Sequence, residues 1–209
     1  MMPWEHAVVG YLGYSVFVHV VYRDAPTSRE TVVVVFASVL PDLIDKPLAW
    51  EFGVFSSGYA IGHSIFFAIP LSIAAGLVAS ARGRPRYGWA FGIGYLLHLP
   101  ADVLPTQLRT GRSPVHRIIW PFQPDENDGE TGTTGESDDS GFAETFVENL
   151  TEYALYVSQS PDSPYTWLVL GLPILGLLLW IYDGMPVGRE IYLLLGRTTR
   201  IASRLVRGG

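Results

Sequence analysis

The uncharged stretch from Phe52 to Ala81 constrains this chain more than any other feature: thirty consecutive residues hold no Asp, Glu, Lys or Arg. Crossing a bilayer as a helix takes about 20 mostly apolar residues, so this run predicts a membrane span. Further apolar runs extend over His6–Tyr22 and Ser163–Tyr182 without a charge, over Tyr87–Leu108 interrupted only by Asp102, and over Thr31–Trp50 with Asp42, Asp45 and Lys46 in its second half. Thr31–Leu40 is too short alone and needs the following Pro41–Trp50 segment to reach across. The pattern predicts an all-α, integral membrane helical bundle with about five transmembrane helices. Charged residues are 16% of the chain, against about 25% in a soluble domain. Ten of the 20 acidic residues fall between Asp125 and Glu152, a stretch without Lys or Arg. This composition excludes an ordinary soluble enzyme, a disordered chain and a basic nucleic-acid-binding domain, so no nucleic acid partner is expected.

Four segments follow. Residues 1–122 form a membrane core, 123–152 an acidic, disordered extramembrane loop, and 153–188 the final transmembrane helix. Residues 189–209 form a basic amphipathic tail, with Arg recurring among apolar residues at helical spacing, suited to lying on membrane lipid. No cleavable leader is expected, because the first apolar segment lacks a basic start. The bases are 13 Arg and one Lys, and with the acid-rich loop this composition suits a halophilic habitat. There is no cysteine, which removes disulfides, thiolate ligands and a Cys nucleophile.

Arg23 and Arg29 follow helix 1, Arg82, Arg84 and Arg86 follow helix 3, and five more Arg lie in the tail. The positive-inside rule puts these segments, the C-terminal tail included, in the cytoplasm of a multi-pass cell-membrane protein. Arg109, Arg112 and Arg117 run against it, at the outer end of helix 4.

Ionisable groups inside a span cost about 2.5 kcal/mol or more, so each needs a reason. His6 opens helix 1; Asp42 and Asp45 close helix 2, three apart; His63 lies early in helix 3; His98 and Asp102 lie four apart in helix 4. Because the helices alternate in direction, all six belong to the same, outer end of the bundle. Three imidazoles and three carboxylates without sulfur fit a divalent metal, zinc first, as one ion or two sharing an Asp. Each residue alone has a plainer explanation: His63 in helix packing, Asp42 as a cap, Asp45 paired with Lys46, His98 and Asp102 as an interhelical pair. Their convergence argues for a site. His19, at the other end of helix 1, reads as structural, and His116 falls in a loop.

The segments His6-Ala-Val-Val-Gly10, Leu40-Pro41-Asp42-Leu43-Ile44-Asp45, Gly62-His63-Ser64 and His98-Leu-Pro-Ala-Asp102 occur in that order, followed by Ile118-Ile119-Trp120-Pro121-Phe122. This arrangement resembles the family of membrane-bound, metal-dependent hydrolases, also described as LexA-binding and inner-membrane-associated. The likeness covers about residues 5–122. It implies a hydrolase with His and Asp metal ligands, in the style of zinc-dependent phospholipase C. Family members often carry Arg-Gly-x-Thr-His-Ser where this chain has Tyr59-Ala-Ile-Gly62-His63-Ser64, and the stretch around Pro105, Thr106 and Gly111 is altered too. If the missing Arg binds substrate phosphate, Arg109, Arg112 or Arg117 must replace it. No residue supports carrying over LexA binding.

The expected function is metal-assisted hydrolysis of a phosphoester or lipid-like substrate at the membrane surface. His6, Asp42, His63, His98 and Asp102 would hold the metal, with Asp45 as a ligand or outer partner. Asp45, or else Asp42, would take the proton from water. No G-x-S-x-G elbow supports a serine hydrolase. Two alternatives are a metal-ion or proton transporter, which needs access from both sides, and a non-enzymatic membrane adaptor.

Overall fold

A computed structural model describes residues 2–122 and 142–190. Among these residues the chain is all-α: α1 Pro3–Tyr22, α2 Ser28–Trp50, α3 Ile65–Ala81, α4 Pro85–Thr110, a 3-10 turn at Val115–Ile118, α5 Phe142–Gln159 and α6 Pro164–Tyr182. Local chemistry sets the helix starts. Thr27 and Glu30 form a reciprocal capping box on α2, and the Ser163 hydroxyl accepts the Thr166 N–H at the head of α6. Proline at the first position opens α1, α4 and α6, where its missing N–H costs nothing.

Helix α4 lies at the centre and packs on α1, α2, α3 and α6. Tyr14, Val18, Val34 and Ala90 meet in one buried cluster, and Ala37, Ala68, Tyr95 and Leu99 in another. The interior is also polar: Glu5, His6, Ser38, Asp42, Asp45, His63, His98 and Asp102 are all buried. Large apolar side chains face outward instead, including Phe36 and Leu43 on α2, Ile73 and Leu77 on α3, and Ile174 and Leu178 on α6. An apolar exterior around a polar interior suits lipid surroundings.

By length and hydropathy, one helix among the described residues, Pro164–Tyr182, is apolar enough to cross a membrane; Ile65–Ala81 is apolar but has 17 residues. The polar interior groups lower the mean hydropathy of α1, α2 and α4, although their outer faces are apolar.

Two expectations change. Phe52–Ala81 is not one helix: residues 51–64 form a loop that turns back into the bundle, and the helix begins at Ile65. Gly53, Gly58 and Gly62 weaken helix formation there, and buried partners satisfy the loop backbone instead. The expected acidic loop 123–152 is helical from Phe142, and α5 breaks at Ser160–Ser163 before α6. The cause is periodicity: Thr145, Asn149, Tyr153 and Tyr156 face inward at helical spacing while Glu144, Glu148 and Glu152 face out. Thus residues 153–188 contain the end of one helix and the whole of another. Residues 123–141 and the tail beyond Glu190 lie outside the described residues.

Two polar networks close the far end of the bundle. Arg86 bonds both oxygens of Glu30 at 2.8 and 3.0 Å and reaches Asp24 at 2.8 Å; the hydrogen bond from Arg86 holds the Asp24 carboxyl below its usual pKa. Asp183, just past α6, accepts from Tyr11 at 2.6 Å and Ser15 at 2.7 Å and meets His19 at 2.7 Å. His19 thus pairs structurally. Asp183→Ala is expected to destabilise the fold by about 2–4 kcal/mol, since three donors lose a buried charged acceptor. Thermal unfolding in detergent would show it; an unchanged transition would mean that α6 does not depend on this contact.

Candidate metal centre

The re-entrant loop decides the geometry. Asp45 accepts the backbone N–H of Ala60 at 2.8 Å, Gly62 at 2.8 Å and His63 at 3.0 Å, and the His63 imidazole Nδ1 lies 2.8 Å from it. Buried backbone donors need such partners, and one carboxylate serves three of them. Tyr95 donates to the Gly62 carbonyl at 2.7 Å, and Ser64 to the Trp120 carbonyl at 2.7 Å. Gly62 approaches so closely that a Cβ there would lie 2.8 Å from the Pro41 carbonyl. His63 is thereby lowered between α2 and α4, below the ends of both helices.

The tautomers follow from these contacts. His98 Nδ1 lies 2.6 Å from the Ser38 carbonyl, which can only accept, so Nδ1 carries the proton. His63 Nδ1 faces the Asp45 carboxylate in the same way. In their neutral forms both rings therefore present an Nε2 lone pair to the same space, and the two Nε2 atoms are 3.0 Å apart. Two lone pairs at that distance repel unless a proton or metal ion lies between them.

Two carboxylate oxygens complete the group. Asp42 Oδ1 lies 3.4 Å from His63 Nε2 and 3.7 Å from His98 Nε2. Asp102 Oδ2 lies 3.2 and 3.3 Å from the same two atoms. Four donors around a tetrahedral ion with bonds near 2.0–2.1 Å would be separated by roughly 3.3–3.4 Å. Five of the six edges fall between 3.0 and 3.7 Å. All four residues are at most 5% exposed, and Asp42 Oδ1 has no hydrogen bond. The donor set thus fits a divalent ion.

The other two expected ligands brace this group. His6 Nε2 contacts the second oxygen of Asp102 at 3.0 Å, and its ring stacks on His98 at 3.8 Å. Asp45 is occupied by its four donors. Of the three arginines, Arg117 lies 4.7 Å over the Tyr59 ring, which packs edge-on against His63 at 4.8 Å. Arg109 lies over Tyr156 of α5, and Arg112 is exposed beyond α4.

Sequence reasoning missed several neighbours. Lys46 pairs with Asp42 Oδ2 at 2.8 Å, not with Asp45; its being the sole lysine was the available signal. Glu5 is fully buried, accepts from the Met2 N–H at 2.7 Å, and binds the Tyr153 hydroxyl at 3.2 Å, fastening α5 to α1. Its place beside His6 inside an apolar run could have flagged it. Nothing local marks Ser38 or Tyr95.

A family model described as YdjM inner membrane protein matches residues 1–185, which include α1 to α6 and every His and Asp of the cluster. The chain belongs to the YdjM inner membrane protein family. Searches of curated proteins and of solved structures found no match. The YdjM match makes this a chain of a membrane-associated family, in agreement with its apolar exterior.

Proposed function

We propose that the chain is a membrane-bound, metal-dependent hydrolase whose buried cluster holds one divalent ion, zinc by its nitrogen and oxygen donors. The observation that carries this reading is the pair of imidazole Nε2 lone pairs 3.0 Å apart, enclosed by two carboxylate oxygens at tetrahedral spacing. One ion fits better than two, because His6 and Asp45 are spent on holding Asp102 and His63. A bound ion would supply Lewis acidity, and a water taking the place of Asp42 Oδ1 would have its pKa lowered to about 7.

The chain's own residues supply the rest. With Oδ1 released from the group to make room for water, Asp42 is better placed than Asp45 to take the proton, since Lys46 steadies its Oδ2 while Asp45 is held by four donors. Asp45 and the Ser38 carbonyl fix the two imidazole tautomers. Arg117, over the Tyr59 ring that packs against His63, offers charge to an anionic transition state.

A phosphoester or lipid-like substrate is supported by a groove of about 790 Å³ beside α4. Ile65, Ile69, Leu97, Leu104, Leu168 and Leu172 are among its lining residues, which suits an acyl chain. A transporter would need a route to the opposite face, where the Arg86 and Asp183 networks close the bundle. Arg23, Arg29, Arg82 and Arg84 at the far end support, by the positive-inside rule, a cytoplasmic far end and a cluster toward the outer face, with Arg109, Arg112 and Arg117 at the cluster end running against it.

The test is metal content by mass spectrometry after purification in detergent without chelators. About one zinc per chain is expected, lost in His98→Ala and Asp102→Ala variants that still fold. Folded wild-type protein that takes up no metal, even after loading, would remove the hydrolase reading.

A further inference from the structure

Over the Asp42–His63 side of the cluster sit three partly exposed side chains: Lys46, Tyr59 and Arg117. The ligands beneath them are buried. Lys46 reaches Asp42 Oδ2 at 2.8 Å and lies 5.9 Å from the Trp50 ring centre. The Gly58 backbone crosses against the Lys46 stem, where a Cβ would lie 3.4 Å from Cγ, so the loop that carries Tyr59 also packs on Lys46. Tyr59 is pressed between Arg117 on its face and His63 at 4.8 Å. It lies in the electrostatic reach of Asp102, Arg117, Lys46 and Asp42 together.

Charge decides what such a wall can receive. Asp42, Asp45 and Asp102 bring three negative charges. A divalent ion with Lys46 and Arg117 brings four positive ones, leaving a surplus of one. Without an ion, one proton between the two imidazoles takes its place and the same groups carry no surplus to attract an anion. A partly dry surrounding makes this difference count for more than it would in water.

From this placement we infer that Lys46, Tyr59 and Arg117 form an anion subsite next to the metal centre, which takes a phosphoryl oxygen of the substrate. The inference rests on the metal-hydrolase reading and gives its substrate a chemical class, a phosphate ester. Arg117 supplies a planar fork suited to phosphate oxygens, Lys46 a compact charge, and Tyr59 a hydroxyl donor held by its ring contacts.

The experiment is calorimetric titration of the zinc-loaded full chain in neutral detergent with inorganic phosphate, and separately with a short-chain phosphatidylglycerol. It compares wild type, Tyr59→Phe, Arg117→Gln, and Arg82→Gln at the far end, with zinc measured in each. Tyr59→Phe keeps the ring that packs on His63, so it tests the hydroxyl without removing the loop's support. The expected result is one zinc in all four proteins, with phosphate affinity at least tenfold weaker in Tyr59→Phe and Arg117→Gln and unchanged in Arg82→Gln. Parallel loss for the lipid assigns the subsite to a headgroup; loss for inorganic phosphate alone assigns it to a free phosphate. Zinc retained with phosphate affinity unchanged in both site variants would overturn the subsite and leave the metal centre standing. Wild-type protein without zinc would overturn both.

Discussion

Asp45→Ala is expected to lower stability by about 3–5 kcal/mol, and to abolish the metal binding proposed for the cluster although Asp45 is outside the tetrahedral group. Its carboxylate accepts the N–H groups of Ala60, Gly62 and His63 and faces the His63 ring. Water cannot readily replace these bonds where Asp45 is fully buried, and each buried donor left unpaired costs about 1–3 kcal/mol. The loop would leave the bundle and take His63 with it. For a chain of this size the apparent Tm should fall by about 10 °C. The measurement pairs thermal unfolding in detergent with zinc content. Full zinc occupancy in a folded Asp45→Ala protein would show that His63 is held by something else.

Gly94→Val should act on the same site from the opposite direction. A Cβ at Gly94 would lie 2.5 Å from the Val34 carbonyl and 3.0 Å from the Ser38 hydroxyl, so α2 and α4 cross there almost backbone to backbone. A valine must push the helices apart, and overpacking of this kind costs about 1–3 kcal/mol. The more informative effect is on the cluster. One turn beyond Gly94, the 2.6 Å contact between His98 and the Ser38 carbonyl fixes the tautomer that turns Nε2 toward His63. Widening the crossing breaks that contact, and the affinity for the proposed metal ion should drop at least tenfold. A Gly94→Val protein with wild-type affinity would show that the crossing does not set the His98 geometry.

Much of this arrangement was legible in the chain, for reasons particular to membranes. Ionisable groups are conspicuous in apolar runs because burying them is expensive, so His6, Asp42, Asp45, His63, His98 and Asp102 stood out without any fold. Helix alternation placed them at one end. Alternation could not rank them, because ligand and brace are distinguished by a few ångströms. Asp45 and Asp42 are three residues apart, yet one secures backbone N–H groups while the other faces the imidazoles. The Phe52–Ala81 run was misleading because hydropathy measures the wish to leave water, and a re-entrant loop buried in protein satisfies it as well as a helix does. The stretch after Gly141 was misleading in the other direction: its acid content hid an inward face of Thr145, Asn149, Tyr153 and Tyr156.

The sequence by itself determined an all-α chain with apolar runs, a polar end and six candidate ligands, because helix periodicity and the cost of buried charge are written in residue order. Only the tertiary structure decided which four of the six meet, which arginine stands beside them, and that the sole lysine belongs to Asp42. Those outcomes depend on a close helix crossing at Gly94 and on backbone N–H groups captured by a carboxylate 15 to 18 residues away. Such distant contacts leave no periodic trace in the chain.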